Sequence, residues 1–342
     1  MNILYGIQGT GNGHITRSRL LVPLLRKKGF NVDILLSGRK KEDYWGMECF
    51  SPFTTKSGLT FEITNGRVSK WKTVKKLKLK QFWMDLKSID FKSYDVVITD
   101  YEPISAWGAK KNGVLSIGIG HLYSFLYNVP MPNGFFLDKK IMNWFAPVDI
   151  PIGLHWHHFG QNILPPLIPS LNEKVTDEDF VLVYLPWEDP NLVDSVLKKI
   201  SDKIFYVYGH TNEKIVRDNI IWKPSSRSGF VKDLETCNGV LCNAGFELTS
   251  ECLSLNKKIL VKPLMSQVEQ LSNVKALDSL GLGSTTNKIT TSIVSNWLEN
   301  DSKSSLPYYN VVDPIINWIE SGNFDDFSNI TKKVWAEIKI VK

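Results

Sequence analysis

Short apolar runs recur along the chain, and most are followed by a glycine-bearing or polar turn and then by an amphipathic stretch. Residues 2–6, 32–36, 94–99, 114–119, 180–185, 204–208, 240–242 and 258–261 read as buried strands. Leu20, Leu21, Leu24 and Leu25 pattern a helix that Gly29 stops. Leu248, Cys252 and Leu255 fall at i, i+4 and i+7, which turns Glu247 and Glu251 to the opposite, polar face of a second helix. Leu79, Phe82, Trp83 and Leu86 mark a third stripe, and residues 311–319 and 330–340 carry two more. Strands alternating with helices predict the α/β class, with parallel sheets covered by helices.

At 342 residues and 43% hydrophobic content the chain is long enough for two ordinary domains. Pro165, Pro166 and Pro169 place an expected linker at 161–175, between a domain over 1–160 and another over 176–310, with helices over 311–342. Cys49, Cys237, Cys242 and Cys252 show neither paired nor metal-ligand spacing, so reduced thiols in a cytoplasmic protein are expected. No apolar run approaches the roughly 18 residues that span a bilayer.

Charge changes this picture in one place. The net charge is +6, and six lysines fall between Lys70 and Lys80, interleaved with Trp71, Val74, Leu77 and Leu79. A solvated helix face and a patch for an anionic membrane surface both fit this segment. Nucleic acid is not expected as a partner, because no binding motif accompanies the lysines. His155, His157 and His158 invite a metal, yet no acid or cysteine at useful spacing completes a site, and packing at the domain junction is the expected role.

Two glycine turns carry the candidate chemistry. The first, between the opening strand and helix, is Gly9-Thr10-Gly11-Asn12-Gly13-His14-Ile15-Thr16-Arg17. A dinucleotide fingerprint would need a glycine where His14 stands and an acid after the second strand, where Ser37-Gly38-Arg39 occurs instead. A histidine at a helix start facing a cleft suits a general base, although it could also simply cap the helix. Asp100, Glu102 and His121 lie at the carboxyl ends of strands and are expected to converge with His14, unless the two acids only cap a turn. In the second turn, Asn243-Ala244-Gly245 leads into a helix whose first N–H groups can receive a diphosphate, with a carboxylate one turn further in for ribose hydroxyls.

The G-x-G-x-G-H-x-x-R run ending at Arg17, the Asp100-Tyr101-Glu102-Pro103 turn, Gly245, Thr249-Ser250-Glu251, Gln267, Glu269, Gln270 and Asn273 resemble those of GT-B glycosyltransferases. The resemblance is to the enzymes similar to the lipid II N-acetylglucosaminyltransferase. It implies two doubly wound Rossmann-like domains facing across a cleft, with a terminal helix crossing back to the first. It further implies inverting, metal-independent transfer from a nucleotide sugar, UDP in the relatives, to an acceptor hydroxyl on a carbohydrate or lipid-linked acceptor.

On that resemblance His14 is the base, aided by Asp100, with Gly11, Gly13, Arg17, Glu102 and His121 on the acceptor side. Phe230 and Val231 flank the nucleobase, Gly245, Thr249 and Ser250 lie near the diphosphate, Asn243 and Glu247 also belong to the nucleotide-sugar site, Glu251 holds the ribose, and Gln267, Glu269 and Gln270 lie near the sugar. No cofactor is expected beyond the donor substrate. A cytoplasmic enzyme, peripheral on the inner face of the cell membrane through Lys70–Lys80, is the implied setting. A UDP-sugar 2-epimerase and a catalytically silent binding protein share the architecture and are the alternatives.

Overall fold

The computed structural model describes residues 1–44, 46–59, 63–64, 67–68, 79–132, 136–169, 176–265, 267–300, 303–307 and 309–338. Most of the lysine-rich segment, up to residue 78, and residues 170–175 of the expected linker lie outside the described residues.

Seven strands form the first sheet: β1 (Asn2–Gln8), β2 (Asn31–Ser37), β3 (Phe53–Lys56), β4 (Val96–Asp100), β5 (Leu115–Gly120), β6 (Ile150–Leu154) and β7 (Ile163–Leu164). Their order is β3-β2-β1-β4-β5-β6-β7 and every pairing is parallel. The order reverses between β1 and β4, so Gln8 and Asp100 end side by side at the carboxyl edge, where a crevice opens in such sheets.

The second sheet repeats the plan with β8 (Glu178–Tyr184), β9 (Ile204–Tyr208), β10 (Ile215–Arg217), β11 (Ile220–Lys223), β12 (Cys237–Asn243), β13 (Lys258–Lys262) and β14 (Ser284–Thr285). Its order is β10-β11-β9-β8-β12-β13-β14, parallel except for the antiparallel β10–β11 pair. Here the reversal falls between β8 and β12, which brings Tyr184 and Asn243 to the edge. The short strands β3, β7, β10 and β14 have too few apolar residues to show a period and do not stand out in the sequence.

Helices cover both sheets. In the first half these are α1 (Asn12–Lys27), α2 (Leu79–Lys87), α3 (Pro103–Asn112), α4 (His121–Ser124) and α5 (Phe136–Phe145). In the second they are α6 (Pro190–Leu197), α7 (Arg227–Thr236), α8 (Phe246–Ser254), α9 (Val268–Leu280) and α10 (Thr291–Glu299), followed by α11 (Val312–Ser321) and α12 (Phe327–Glu337). Gly113 and Gly281 end α3 and α9 in the left-handed region, each at φ 66°, which a residue with a Cβ rarely adopts.

The two sheets share one apolar core. It runs from Ile3, Tyr5 and Ile7 through Trp156 and Phe246 to Ile259, Ile315, Trp318 and Val334. The last two helices return to the first sheet. Lys28 at the end of α1 pairs with Glu320 at 2.6 Å, and Trp335 Nε1 donates to the Ile163 carbonyl at 2.6 Å. Burying aromatic residues from both halves in one cluster fixes the halves against each other, at roughly 25 cal/mol for each Å² of apolar surface removed from water.

Candidate functional site

The first wall of the cleft is built on the ends of β1 and β4. His14 lies in the first turn of α1, and its Nδ1 is 2.8 Å from Asp100 Oδ1. Arg17, one turn on, donates from Nε to Asp100 Oδ2 at 2.9 Å and from Nη2 to Oδ1 at 2.7 Å. Asp100 is fully buried, which opposes its ionisation, but Arg17 and His14 outweigh burial and hold its carboxyl below the ordinary value. The carboxylate fixes the proton of neutral His14 on Nδ1 and leaves Nε2 as the basic nitrogen.

Glu102 does not join this group. Its carboxylate turns back onto its own helix, accepting from the Ile104 and Ser105 N–H groups at 2.9 and 2.6 Å, and burial raises its pKa. It is the N-cap of α3, with Pro103 at the first position. His121 also has a different place from His14. Its ring stacks on Phe246 of the second domain, with centroids 3.8 Å apart and planes at 2°. Its nitrogens lie 2.8 Å from the Leu154 carbonyl and 2.7 Å from Asn273 Oδ1, and burial pushes its pKa down to about 3. His121 therefore joins the domains as a neutral ring.

The histidine run at 155–158 serves the same junction. His155, His157 and His158 each accept a backbone N–H on Nδ1, from Trp156, Phe159 and Gly160. Among the described residues no three His, Cys, Asp or Glu side chains are grouped to hold a metal ion.

The second wall is α8 and its neighbours. Gly245 is the N-cap of α8 and carries no side chain to satisfy the first N–H groups. The same is true of Gly11 before α1, and the Gln267 side chain does not cap α9. In contrast, Glu102, Asp189, Ser226 and Thr290 cap α3, α6, α7 and α10 with their side chains. Thus helices α1, α8 and α9 begin at strand ends with open N–H groups and positive dipole ends, an arrangement that receives anions.

The two walls meet closely. Arg17 Nη1 donates to Glu247 Oε1 in the first turn of α8, and a Cβ on Gly13 would come within 2.9 Å of Glu247 Cγ. Gly13 is required by this approach rather than by its backbone angles. Trp156 Nε1 donates to Ser250 Oγ at 2.8 Å, and Ser250 in turn donates to the Phe246 carbonyl at 2.7 Å. Ser250 is thereby committed to the domain junction. Thr249 is buried too, and its Oγ1 has no partner among the described residues.

Glu251 differs from its neighbours. Among the described residues its carboxylate accepts no hydrogen bond; burial raises its pKa to about 7, and the charge of Arg227 opposes the rise. An acceptor with no partner among the described residues is suited to hydroxyls from a ligand. Glu269, also raised by burial, feels the charges of His14 and Arg17, which places it by the first wall. Gln270 Oε1 accepts from the Leu264 N–H at 2.8 Å and shapes the loop before α9, while Gln267 Oε1 is buried without a partner among the described residues. Phe230 packs edge-on against Tyr184 and Tyr208, and Val231 beside it is exposed.

The chain matches the family described as glycosyl transferase family 1 over residues 1–129 and 159–300. It belongs to that family. No curated protein matches the sequence. Solved structures share the fold at low identity. The kitacinnamycin glycotransferase is 13% identical, with 97% of this chain and 95% of that one covered and a TM-score of 0.60. MurG of Acinetobacter baumannii is 13% identical, with 87% and 90% covered and a TM-score of 0.54. The spinosyn rhamnosyltransferase SpnG, at 13% identity, covers 98% of this chain and 96% of its own with a TM-score of 0.55.

The GT-B fold expected from the sequence is thus the fold of this glycosyltransferase, and the cleft between its sheets is the one described above. In this glycosyltransferase the structure brings His14, Arg17, Asp100 and Glu247 together. It commits Glu102 to a cap, His121 and Ser250 to the domain junction, and Gln270 to the loop before α9. Sequence reasoning missed the stack of Phe246 on His121 and the tie between Trp156 and Ser250. The first is a ring stack and the second a hydrogen bond, both between distant segments, and neither leaves a periodic signal.

Proposed function

We propose that the protein is an inverting glycosyltransferase that moves a sugar from a UDP-sugar to an acceptor hydroxyl. The observation that carries this reading is the pairing of two half-sites across one cleft. His14 backed by Asp100 stands on one wall, and Glu251, without a hydrogen-bond partner among the described residues, stands on the other behind the open start of α8.

The chemistry follows from these positions. Asp100 holds the Nδ1–H of His14, so Nε2 is free to accept the acceptor hydroxyl proton. The acceptor oxygen attacks the anomeric carbon as the bond to the diphosphate breaks, and the electron pair leaves with the diphosphate. One displacement inverts the anomeric centre. The N–H groups and dipole of α8 meet the charge that develops on the diphosphate, and Asp100 stabilises the imidazolium formed on His14. The ribose hydroxyls donate to Glu251, with the base beside Phe230 and Val231. Gly11, Gly13 and Glu269 border the sugar.

Among the solved structures of this fold, SpnG is described in complex with thymidine diphosphate, with a TM-score of 0.52 to this chain. It supports a nucleoside diphosphate in the cleft. UDP is preferred on the sequence resemblance.

A lipid-linked or cell-envelope acceptor, met by a cytoplasmic enzyme at the inner membrane surface, completes the reading. Its support is an outward face on the first domain where Trp83, Met84, Ile141 and Trp144 are exposed. Lys111 stands 4.1 Å over the Trp83 ring and Lys110 stands 5.6 Å over that of Trp107. Indoles and lysines together suit a headgroup layer.

The test is a calorimetric titration of wild type and Glu251→Ala with UDP and other nucleoside diphosphates, followed by UDP-sugars with candidate acceptors. Selective binding lost in Glu251→Ala and acceptor-dependent release of UDP are expected. Binding of no nucleotide would sink the reading; a free epimerised sugar formed without acceptor would identify a 2-epimerase, and binding without turnover a silent module.

A further inference from the structure

The carboxyl edge of the second sheet holds an ion pair that the reaction above does not use. Lys262, the last residue of β13, donates to Glu188 Oε1 at 2.6 Å. Lys262 stands opposite Asn243 in the β12–β13 register, and Glu188 follows β8 on the other side of β12. The pair therefore arches over the end of β12, whose turn leads through Gly245 into α8.

Asn243 lies beneath the arch. Its Nδ2 donates to the Lys262 carbonyl at 3.2 Å and faces Glu188 Oε1 at 3.4 Å. Its Oδ1 is buried and has no partner among the described residues, although the residue is only 7% exposed. The charged side chains themselves are 12% and 11% exposed. Holding two charges this far from water is costly unless their geometry is good, and removing one partner costs more than the pair is worth. A cation, an anion and an orphaned acceptor thus converge where the diphosphate would enter.

Resting on the nucleotide-sugar reading, we propose that Lys262 is the side-chain cation of the donor site. Glu188 holds it in the free enzyme and yields it to the diphosphate when the donor binds. The phosphate oxygens offer the ammonium a partner of higher charge than one carboxylate. Glu188 then faces an anion and turns outward, so its charge lowers donor affinity. Asn243 Oδ1 accepts a hydroxyl of the same ligand. Two neighbouring strands and an outer loop thereby act as one phosphate clamp that is closed on itself until the substrate arrives.

The experiment compares nucleoside diphosphates with their nucleosides, UDP against uridine and dTDP against thymidine, on wild type, Lys262→Met and Glu188→Gln. Lys262→Met is expected to weaken the diphosphate about tenfold or more and the nucleoside less than about twofold, the scale of one charge-assisted hydrogen bond. Glu188→Gln is expected to tighten the diphosphate, the opposite sign. A purely structural pair gives a different result: both variants weaken diphosphate and nucleoside alike, or change neither, and the proposal is then wrong. If Lys262→Met does not fold, the sign of Glu188→Gln decides alone, since weakening overturns the proposal. Wild-type binding of no diphosphate defeats the donor reading itself, whereas wild-type binding indifferent to both variants defeats only the role of Lys262.

Discussion

Arg17 of the first domain donates to Glu247 of the second while its other nitrogens hold Asp100, so one guanidinium both closes the cleft and fixes the carboxylate behind His14. Closure and proton transfer share a residue. Arg17→Ala leaves Asp100 buried without its main counter-charge, and a loss of about 3 kcal/mol is expected. Glu247→Gln keeps the Asp100 pair and still offers Arg17 an acceptor, so it should cost less than Arg17→Ala while loosening the cleft. Chemical denaturation and the radius of gyration in solution check both; equal destabilisation by the two variants would contradict the division of roles.

His14→Ala and Asp100→Asn remove the base and its orienting partner. Turnover should fall about 10²- to 10⁴-fold in His14→Ala. Asp100→Asn should also lose turnover, because the amide no longer dictates which nitrogen of His14 carries the proton. Nucleoside diphosphate affinity, measured by calorimetry, should stay within about threefold of wild type for His14→Ala, since binding interactions and transition-state interactions separate in this way.

Glu251 has its carboxyl raised to about 7 by burial. Ribose hydroxyls favour the ionised form, so donor binding releases a proton near neutrality. Affinity should rise as pH is taken from 6 to 8, by up to about tenfold per unit below the pKa. Glu251→Gln should bind more weakly and lose the dependence. Titrations in buffers of different ionisation enthalpy read the proton directly.

Burial lowers the pKa values of both His121 and His155, His121 to about 3. The unfolded chain protonates its histidines below about 6.5, whereas these two resist protonation when folded. Their contribution to stability is complete above that pH and is lost as pH falls toward the folded values, at about 1.4 kcal/mol per unit for each histidine. Denaturation at pH 7.5 and 5 measures the slope, which His155→Phe should make shallower by one proton.

Vesicles with an anionic lipid should bind the protein through the face bearing Trp83 and Trp144, and Trp83→Ser combined with Trp144→Ser should release it. Added salt should weaken binding, as about 1 kcal/mol comes from each lysine near the surface. Equal binding to neutral vesicles, or no loss in the double variant, would remove the membrane from the functional reading.

Much of the fold was legible because its signals are local. Strands β1, β2, β4, β5, β8, β9, β12 and β13 show as apolar runs, and α1 and α8 as stripes that begin at glycine turns. The same locality made Gly245 and Glu251 visible as a turn and an acid six residues apart on one helix. Caps were harder to separate from catalytic acids. Asp100 and Glu102 lie two residues apart at the same strand end, yet one faces His14 and the other its own helix. That difference depends on backbone angles, with Tyr101 between them at φ 57°.

The sequence by itself determined the alternation of strands and helices, the two open helix starts at Gly11 and Gly245, and the residue types near them, since each follows from neighbours within a few positions. Only the tertiary structure decided which side chains share a charge. Arg17 and Glu247 are 230 positions apart, and Glu188 and Lys262 are 74 apart. Such pairs follow from strand order and from the packing of one domain on the other. Coulombic attraction and burial act through space, and no periodicity along the chain records them.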